Sequence, residues 1–139
     1  MKTKIFIDSA AFFALTNAND QYHKFAAEFL NVCLDAKNFC FITSNLVLSE
    51  TYTLIRYKVD FSVANTFLEK ITHSSIEIVY SNVLVEREAI KFLKKFDDIK
   101  LSYTDAVSFQ IMKEQNINPA FTFDSHFEVV GYKCLPKIN

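Results

Sequence analysis

The chain has 139 residues, of which 50% are hydrophobic and 22% are charged, and its formal net charge is -1. This length and composition predict a single globular domain over residues 1–139 and exclude a disordered or repetitive chain. The near-neutral charge argues against a strongly basic nucleic-acid binder, although it does not exclude a local basic face.

Short apolar runs and helical patterns alternate along the chain. The runs that predict buried strands cover 5–7, 39–42, 76–80 and 120–123, and a further edge strand is expected from 129–130 and 132–135. Helical spacing and capping residues predict helices over 9–15, 22–34, 45–58, 60–71, 82–96 and 102–115. This order predicts an α/β fold, a three-layer α/β/α sandwich with a central, mostly parallel sheet.

Two of the predicted strands end in the same way. Residues 5–9 and 121–125 both contain an apolar run that stops at an aspartate, Asp8 and Asp124. Ligands of open α/β sheets bind beyond the carboxyl ends of the strands. If these strands are neighbours, the two aspartates meet, and their charges repel unless a cation or a proton lies between them. The structural alternatives are a helix N-cap for Asp8 and an Asx-turn near His126 for Asp124.

Two further carboxylates lie on helix faces that look directed to the core. Glu50 is in mid-helix, where capping does not explain it, so it either pairs with a lysine or arginine or has a metal or catalytic role. Asp105 matches a capping box with Ser102, yet it shares a face with Phe109, and we expect the helix N-terminus to keep it ionised at low pH. Four converging carboxylates need cations, and oxygen ligands suit Mg²⁺ or Mn²⁺ rather than Zn²⁺.

The other residues that often bind metals form no motif. The three histidines, His23, His73 and His126, lack zinc spacing and are interpreted as surface or packing residues. The three cysteines are interpreted as free thiols in a reducing cytoplasm. The N-terminus shows no signal-peptide pattern, and no apolar stretch approaches the roughly 18 residues of a membrane span. We therefore expect a cytoplasmic protein with no membrane partner.

The ordered set of residues 7–9, 48–50, 102–106 and 122–127 resembles the PIN domain. Within that family the chain looks most like the VapC-type toxins of bacterial and archaeal toxin–antitoxin pairs, and the resemblance covers essentially the whole sequence. It implies an α/β/α sandwich and a hydrolase, an endoribonuclease that depends on Mg²⁺ or Mn²⁺. It also implies an RNA substrate, a homodimer and a cognate antitoxin protein as partners.

Carried over by position, the resemblance assigns the roles of individual residues. It implies that the catalytic and metal-binding acidic groups are Asp8, Glu50, Asp105 and Asp124. The hydroxyl residues that would support them are Ser9, Thr104 and Thr122. We hypothesise that a water activated by the metal attacks the RNA phosphate, which leaves products with 5′-phosphate ends. The basic residues that are candidates for holding the RNA are Arg56, Lys58, Arg87, Lys91, Lys94, Lys95 and Lys100.

Three alternatives stay open on sequence alone. A non-catalytic PIN-like module that binds RNA or a partner would be marked by loss of an acidic position, and this chain has all four. A receiver-like module that accepts a phosphoryl group does not need Glu50 in mid-helix, and it expects a lysine at a late strand end that the sequence does not offer. A metal-dependent phosphatase or DNA nuclease differs only in its substrate.

Overall fold

The computed structural model describes residues 2–138 of the chain. Helices and strands alternate in the predicted order, with one additional short helix near the C-terminus. In chain order the elements are β1 (Thr3–Ile7), α1 (Ser9–Thr16), α2 (His23–Ala36), β2 (Phe39–Ser44), α3 (Asn45–Lys58), α4 (Phe61–Thr72), β3 (Glu77–Val79), α5 (Val83–Lys95), α6 (Tyr103–Glu114), β4 (Pro119–Phe121), α7 (His126–Val130) and β5 (Lys133–Leu135).

The five strands form one sheet in the order β3-β2-β1-β4-β5, and each neighbouring pair is parallel. β1 lies at the centre and pairs with β4, with Ile7 opposite Phe121. The condition set out in the sequence analysis, that the first and fourth strands are neighbours, is therefore met. Because the two strands are parallel, the residues that follow Ile7 and Phe121 leave the sheet at the same edge.

Helices cover both faces of the sheet. Ile5, Phe6 and Ile7 of the central strand are at most 1% exposed, although successive side chains of a strand point to opposite faces. Full burial of each such side chain contributes about 1.5–3 kcal/mol relative to exposure. The predicted three-layer α/β/α sandwich is confirmed.

The predicted capping residues begin their helices. The side chains of Ser44, Asp60, Asn82 and Ser102 each accept a hydrogen bond from the backbone N–H three residues further along. Such caps satisfy amide donors that have no partner inside the helix. Since Ser44 also ends β2, the cap makes α3 start at the edge of the sheet where Ile7 ends.

The C-terminal region differs from the prediction. Residues 129–130 belong to the short helix α7 and not to the edge strand, which is limited to Lys133–Leu135. The buried side chain of Phe127 anchors α7. The helix ends at Gly131, the only glycine of the chain, whose φ of 113° is open to glycine but strained for other residues.

Two further expectations concern the whole chain. The cysteines Cys33, Cys40 and Cys134 are free, as predicted. Among residues 2–138, no helix has both the length and the apolar character that crossing a membrane requires.

Candidate active site

Asp8 is buried at the end of β1 with part of its carboxylate unpartnered. The residue occupies the N-cap position of α1, but its side chain makes no capping hydrogen bond, so the structural alternative for this aspartate is wrong. Its Oδ2 accepts a hydrogen bond of 2.9 Å from Thr122 Oγ1. Its Oδ1 is buried and has no hydrogen-bond partner among the described residues. An unsatisfied buried carboxylate oxygen is costly, which marks this atom as a candidate ligand.

Thr122 connects the two strand-end aspartates. Its hydroxyl donates to Asp8 and accepts a 3.0 Å hydrogen bond from the backbone N–H of Asp124. The Asx-turn predicted for Asp124 is confirmed, because Asp124 Oδ1 accepts a 2.9 Å hydrogen bond from the backbone N–H of His126. One hydroxyl therefore fixes the carboxylate of Asp8 and the backbone of Asp124.

Glu50 reaches the site from the second turn of α3. Its Oε1 accepts a hydrogen bond from Ser9 Oγ, across from α1. No lysine or arginine within residues 2–138 forms an ion pair with Glu50. The structure therefore offers no support for the alternative in which a basic residue neutralises this carboxylate.

Asp105 combines the capping role with a position in the site. Ser102 Oγ accepts from the Asp105 N–H at 3.0 Å, and Asp105 Oδ2 accepts from the Ser102 N–H at 3.2 Å, which completes the predicted capping box. The residue is buried beside Phe109 at the start of α6. The cap uses one oxygen of the carboxylate and leaves the other for a ligand.

The carboxylates act on one another electrostatically. Burial raises the pKa of Asp8 from 3.8 to about 7, and the charges of Asp105 and Glu50 add to the rise. Burial also raises the pKa of Asp105 to about 6, with contributions from Asp124 and Glu50. Our expectation that Asp105 stays ionised at low pH is wrong for the metal-free protein, because desolvation outweighs the hydrogen bonds at the helix N-terminus.

His126 belongs to a tight group with Asp105 and Asp124, whereas its sequence position was interpreted as that of a surface or packing residue. One ligand atom each of Asp105, Asp124 and His126 lies within 4.8 Å of the other two. Asp8 and Glu50 are not members of this tight group but lie close enough to affect its charge. The signal that could have found His126 is its position two residues after a strand-end aspartate, where an Asx-turn brings the side chain back.

The supporting hydroxyl residues have different surroundings. Ser9 and Thr122 bond directly to Glu50 and Asp8. Thr104 is half-buried in the first turn of α6, and within residues 2–138 its side chain makes no hydrogen bond, while its carbonyl accepts from Ser108. The role predicted for Thr104 remains a prediction.

These residues fit a divalent cation. The unpartnered Asp8 Oδ1 and the raised pKa values of Asp8 and Asp105 are the features that a bound cation would relieve. Carboxylate oxygens are the ligands preferred by Mg²⁺ and Mn²⁺. The candidate ligands are Asp8, Glu50, Asp105 and Asp124.

A cavity of about 510 Å³ adjoins the acidic group. Its lining includes Asp124 and Ser125 together with Tyr132, Lys133 and Lys137. Basic residues for RNA contact were expected within 56–100, and these two lysines, which follow Asp124 in the chain, were not among them. The lining also includes Glu128, so two lysines and two carboxylates share this cavity, and the lysines offer contacts to an anionic chain.

A parallel α/β/α sandwich with carboxylates at the carboxyl edge of its sheet defines this chain as an α/β domain with an acidic site. Comparisons with known proteins identify its family. The sequence profile of the PIN domain matches residues 5–132. This chain belongs to the PIN domain family.

Individual relatives agree with this assignment. The chain is 29% identical over 128 residues to VapC20 of Mycobacterium tuberculosis, which is described as a 23S rRNA-specific endonuclease. The match covers 92% of this chain and 95% of VapC20. It is 30% identical over 125 residues to a VapC ribonuclease of Archaeoglobus fulgidus, covering 88% and 78% of the two chains.

Solved structures show the same fold. The crystal structure of VapC20, described as a toxin that cleaves the sarcin–ricin loop, superposes with a TM-score of 0.84 at 28% identity, covering 92% of this chain and 95% of VapC20. VapBC2 of Rickettsia felis, bound to promoter DNA, has a TM-score of 0.70 at 15% identity, covering 95% and 97%. The second likeness concerns the fold alone.

Proposed function

We propose that this protein is a metal-dependent endoribonuclease and the toxin of a type II toxin–antitoxin pair. The observation that carries the proposal is the unpartnered, buried Asp8 Oδ1 beside three further carboxylates, in a PIN domain whose relatives are described as ribonucleases. An RNA target would place this activity in the cytoplasm.

The site residues would divide the work of hydrolysis. Asp8, Asp105 and Asp124 would bind Mg²⁺ or Mn²⁺, and Glu50 would hold a second ion or bound water. When bound, the ion supplies Lewis-acid stabilisation of charge on the phosphate oxygens. Ser9 orients the Glu50 carboxylate, which accepts a proton from the attacking water. Because water is the nucleophile, the products carry 5′-phosphate ends.

The cavity beside Asp124 is the proposed path for RNA. Lys133 and Lys137 line this cavity and would neutralise backbone phosphates there. Single-stranded or looped RNA suits this site, since a flexible backbone can bend toward carboxylates at the sheet edge. The sarcin–ricin loop, which VapC20 cleaves, is the first defined RNA to test.

An antitoxin would bind at a different surface. A second cavity, of about 480 Å³, has a mostly apolar lining that includes Phe12, Leu15, Leu30, Phe67 and Ile71. Such a groove suits the apolar face of an amphipathic antitoxin helix. Substituting Leu15→Glu should prevent co-purification with a co-expressed antitoxin while cleavage by the free protein persists.

A homodimer is the proposed state in solution. The junction of α3 and α4 exposes two aromatic side chains, Tyr57 at 84% and Phe61 at 54%. Exposed aromatic groups of this kind are typical of interfaces. Light scattering should give twice the chain mass for the wild type and the chain mass for Tyr57→Glu.

Cleavage of RNA tests the activity directly. Purified protein is incubated with a 5′-labelled RNA pool and with sarcin–ricin loop RNA, in Mg²⁺, in Mn²⁺ and in EDTA, beside Asp8→Asn. We expect cutting in either metal, none with EDTA or with Asp8→Asn, and 5′-phosphate ends on the products. If the wild type cuts neither RNA and binds neither metal, the nuclease proposal fails, and the alternative of a non-catalytic RNA- or partner-binding module takes its place.

A further inference from the structure

His126 has a buried imidazole nitrogen that no described residue satisfies with a hydrogen bond. Its Nδ1 is buried, lies 3.4 Å from Asp124 Oδ1 and has no hydrogen-bond partner among residues 2–138. Asp124 Oδ1 already accepts a 2.9 Å hydrogen bond from the backbone of His126. The ring is therefore held against the carboxylate by the turn between the two residues and not by its own hydrogen bond.

The imidazole of His126 lies among the candidate metal ligands. One ligand atom each of His126, Asp105 and Asp124 lies within 4.8 Å of the others. Ligand atoms that share an ion at about 2.1 Å lie roughly 3 to 4 Å apart. The three atoms can therefore reach one ion with only small movements of their side chains.

The groups around His126 favour a role as a metal ligand over a role in packing. The carboxylates grouped with His126 are Asp105 and Asp124. The charge of Glu50 acts on Asp105, and the charges of Asp105 and Glu50 act on Asp8. No lysine or arginine forms an ion pair with any of the four in the described chain. His73 and His23, by contrast, have Nδ1 within hydrogen-bond distance of the backbone carbonyls of Glu69 and Ala14.

From these contacts we propose that His126 Nδ1 is an additional ligand of the metal centre. The inference rests on the proposed function, because it concerns the ion that the carboxylates would bind. A nitrogen ligand changes which ion the site prefers. Mg²⁺ favours oxygen ligands and dehydrates reluctantly, whereas Mn²⁺ accepts imidazole more readily. His126 therefore makes this centre selective for Mn²⁺ over Mg²⁺.

Calorimetric titration of the EDTA-treated, dialysed full-length protein with MnCl₂ and with MgCl₂ tests the preference. We expect His126→Ala to weaken Mn²⁺ binding by at least about tenfold, while Mg²⁺ binding changes much less, so that the ratio of the two affinities falls. His126→Asn places an amide near the position of Nδ1 and should recover part of the Mn²⁺ affinity. The matched control is His73→Ala, which removes an exposed histidine and should change neither affinity.

Pulsed electron paramagnetic resonance of the Mn²⁺-loaded protein gives a second, direct readout. A nitrogen ligand should produce ¹⁴N modulation in the wild type and in His73→Ala, and this modulation should be absent in His126→Ala. Equal Mn²⁺ affinity in wild type and His126→Ala, without ¹⁴N modulation in the wild type, would overturn the inference and leave the nuclease proposal intact. Tighter binding of both ions by His126→Ala would identify the residue as a competing cation and would also overturn it.

A failure of the proposed function gives a different result. In that case the wild type itself binds neither Mn²⁺ nor Mg²⁺. Thermal unfolding of each metal-free variant checks that the substitutions leave the fold intact before the titrations are compared.

Discussion

Thr122 Oγ1 donates a 2.9 Å hydrogen bond to Asp8 Oδ2 although the two residues are 114 positions apart in the chain. The same hydroxyl accepts the backbone N–H of Asp124 at 3.0 Å. The pairing of β1 with β4 creates this contact, because Thr122 and Asp8 are the first residues beyond Phe121 and Ile7, which lie opposite each other. One buried hydroxyl thus sets the relative positions of two candidate metal ligands.

Replacing Thr122 with valine tests this positioning role. Thr122→Val keeps the volume of the side chain but leaves the Asp124 N–H and Asp8 Oδ2 without a partner. We expect a loss of about 1–3 kcal/mol in the free energy of unfolding and a fall of about 10- to 100-fold in Mn²⁺ affinity. Chemical denaturation and calorimetry measure the two effects.

The conservative variant Thr122→Ser should recover most of the metal affinity, because it restores the hydroxyl. Thr16→Val, which removes a hydroxyl that bonds only to backbone carbonyls of α1, is the control and should leave metal affinity unchanged. Equal affinities in Thr122→Val and wild type would show that Asp8 and Asp124 are positioned without this hydroxyl.

Asp8→Asn should stabilise the metal-free protein while it removes cleavage. Burial raises the pKa of Asp8 to about 7, so at about pH 8 the carboxylate is ionised in a site where its charge costs free energy. A neutral amide removes this desolvation cost, so we expect an increase of a few kcal/mol in the free energy of unfolding and a higher Tm. Asp98→Asn, on an exposed carboxylate, serves as the control and should change little. A lower Tm for metal-free Asp8→Asn would show that the charge is already compensated by the protein.

The stability of the metal-free protein should fall as pH rises. The pKa of Asp8 is raised from 3.8 to about 7 and that of Asp105 to about 6, so the folded state holds these protons more tightly than the unfolded chain. Their contribution to stability is fully present below the unfolded pKa and is lost as pH rises through about 6 and 7. The Tm difference between wild type and Asp8→Asn should therefore widen between about pH 5 and about pH 8.

Bound metal should reverse this trend. Divalent cations bind the ionised carboxylates, so the rise in Tm caused by saturating Mn²⁺ should be larger at about pH 8 than at about pH 5. A Tm increase of the same size at both pH values would place the bound ion away from Asp8 and Asp105.

The sequence was sufficient to predict the elements that depend on local patterns. The short apolar runs before Asp8 and Asp124 marked β1 and β4, and the cap at Ser44 marked the start of α3, which carries Glu50. Since parallel strands end at one edge, the convergence of strand-end aspartates followed from topology. The capping box of Asp105 was also predictable, because it depends only on residues three positions apart.

The remaining features depend on tertiary packing. Burial raises the pKa of Asp105, and the helix pattern alone does not show how deeply this residue is buried. For this reason the expectation that the helix N-terminus keeps Asp105 ionised at low pH was wrong. The contribution of His126 depends on an Asx-turn and a five-residue helix that replaced part of a predicted strand. Short helices of this kind are stabilised by anchors such as Phe127, and their own periodicity is too brief to identify them.

Lys133 and Lys137 should contribute to RNA binding in a way that salt reveals. Both line the cavity that contains Asp124, and each phosphate contact to single-stranded nucleic acid adds roughly 0.7 to the slope of log affinity against log salt. The double variant Lys133→Ala/Lys137→Ala should therefore raise KM and lower this slope by roughly 1.4, while kcat changes little. Binding of a fluorescent single-stranded RNA to the metal-free protein across a salt series measures the slope. The control is Lys24→Ala, since Lys24 is exposed on α2, does not line this cavity and lies outside 56–100. An unchanged slope in the double variant would direct the search for the RNA path to the basic residues within 56–100.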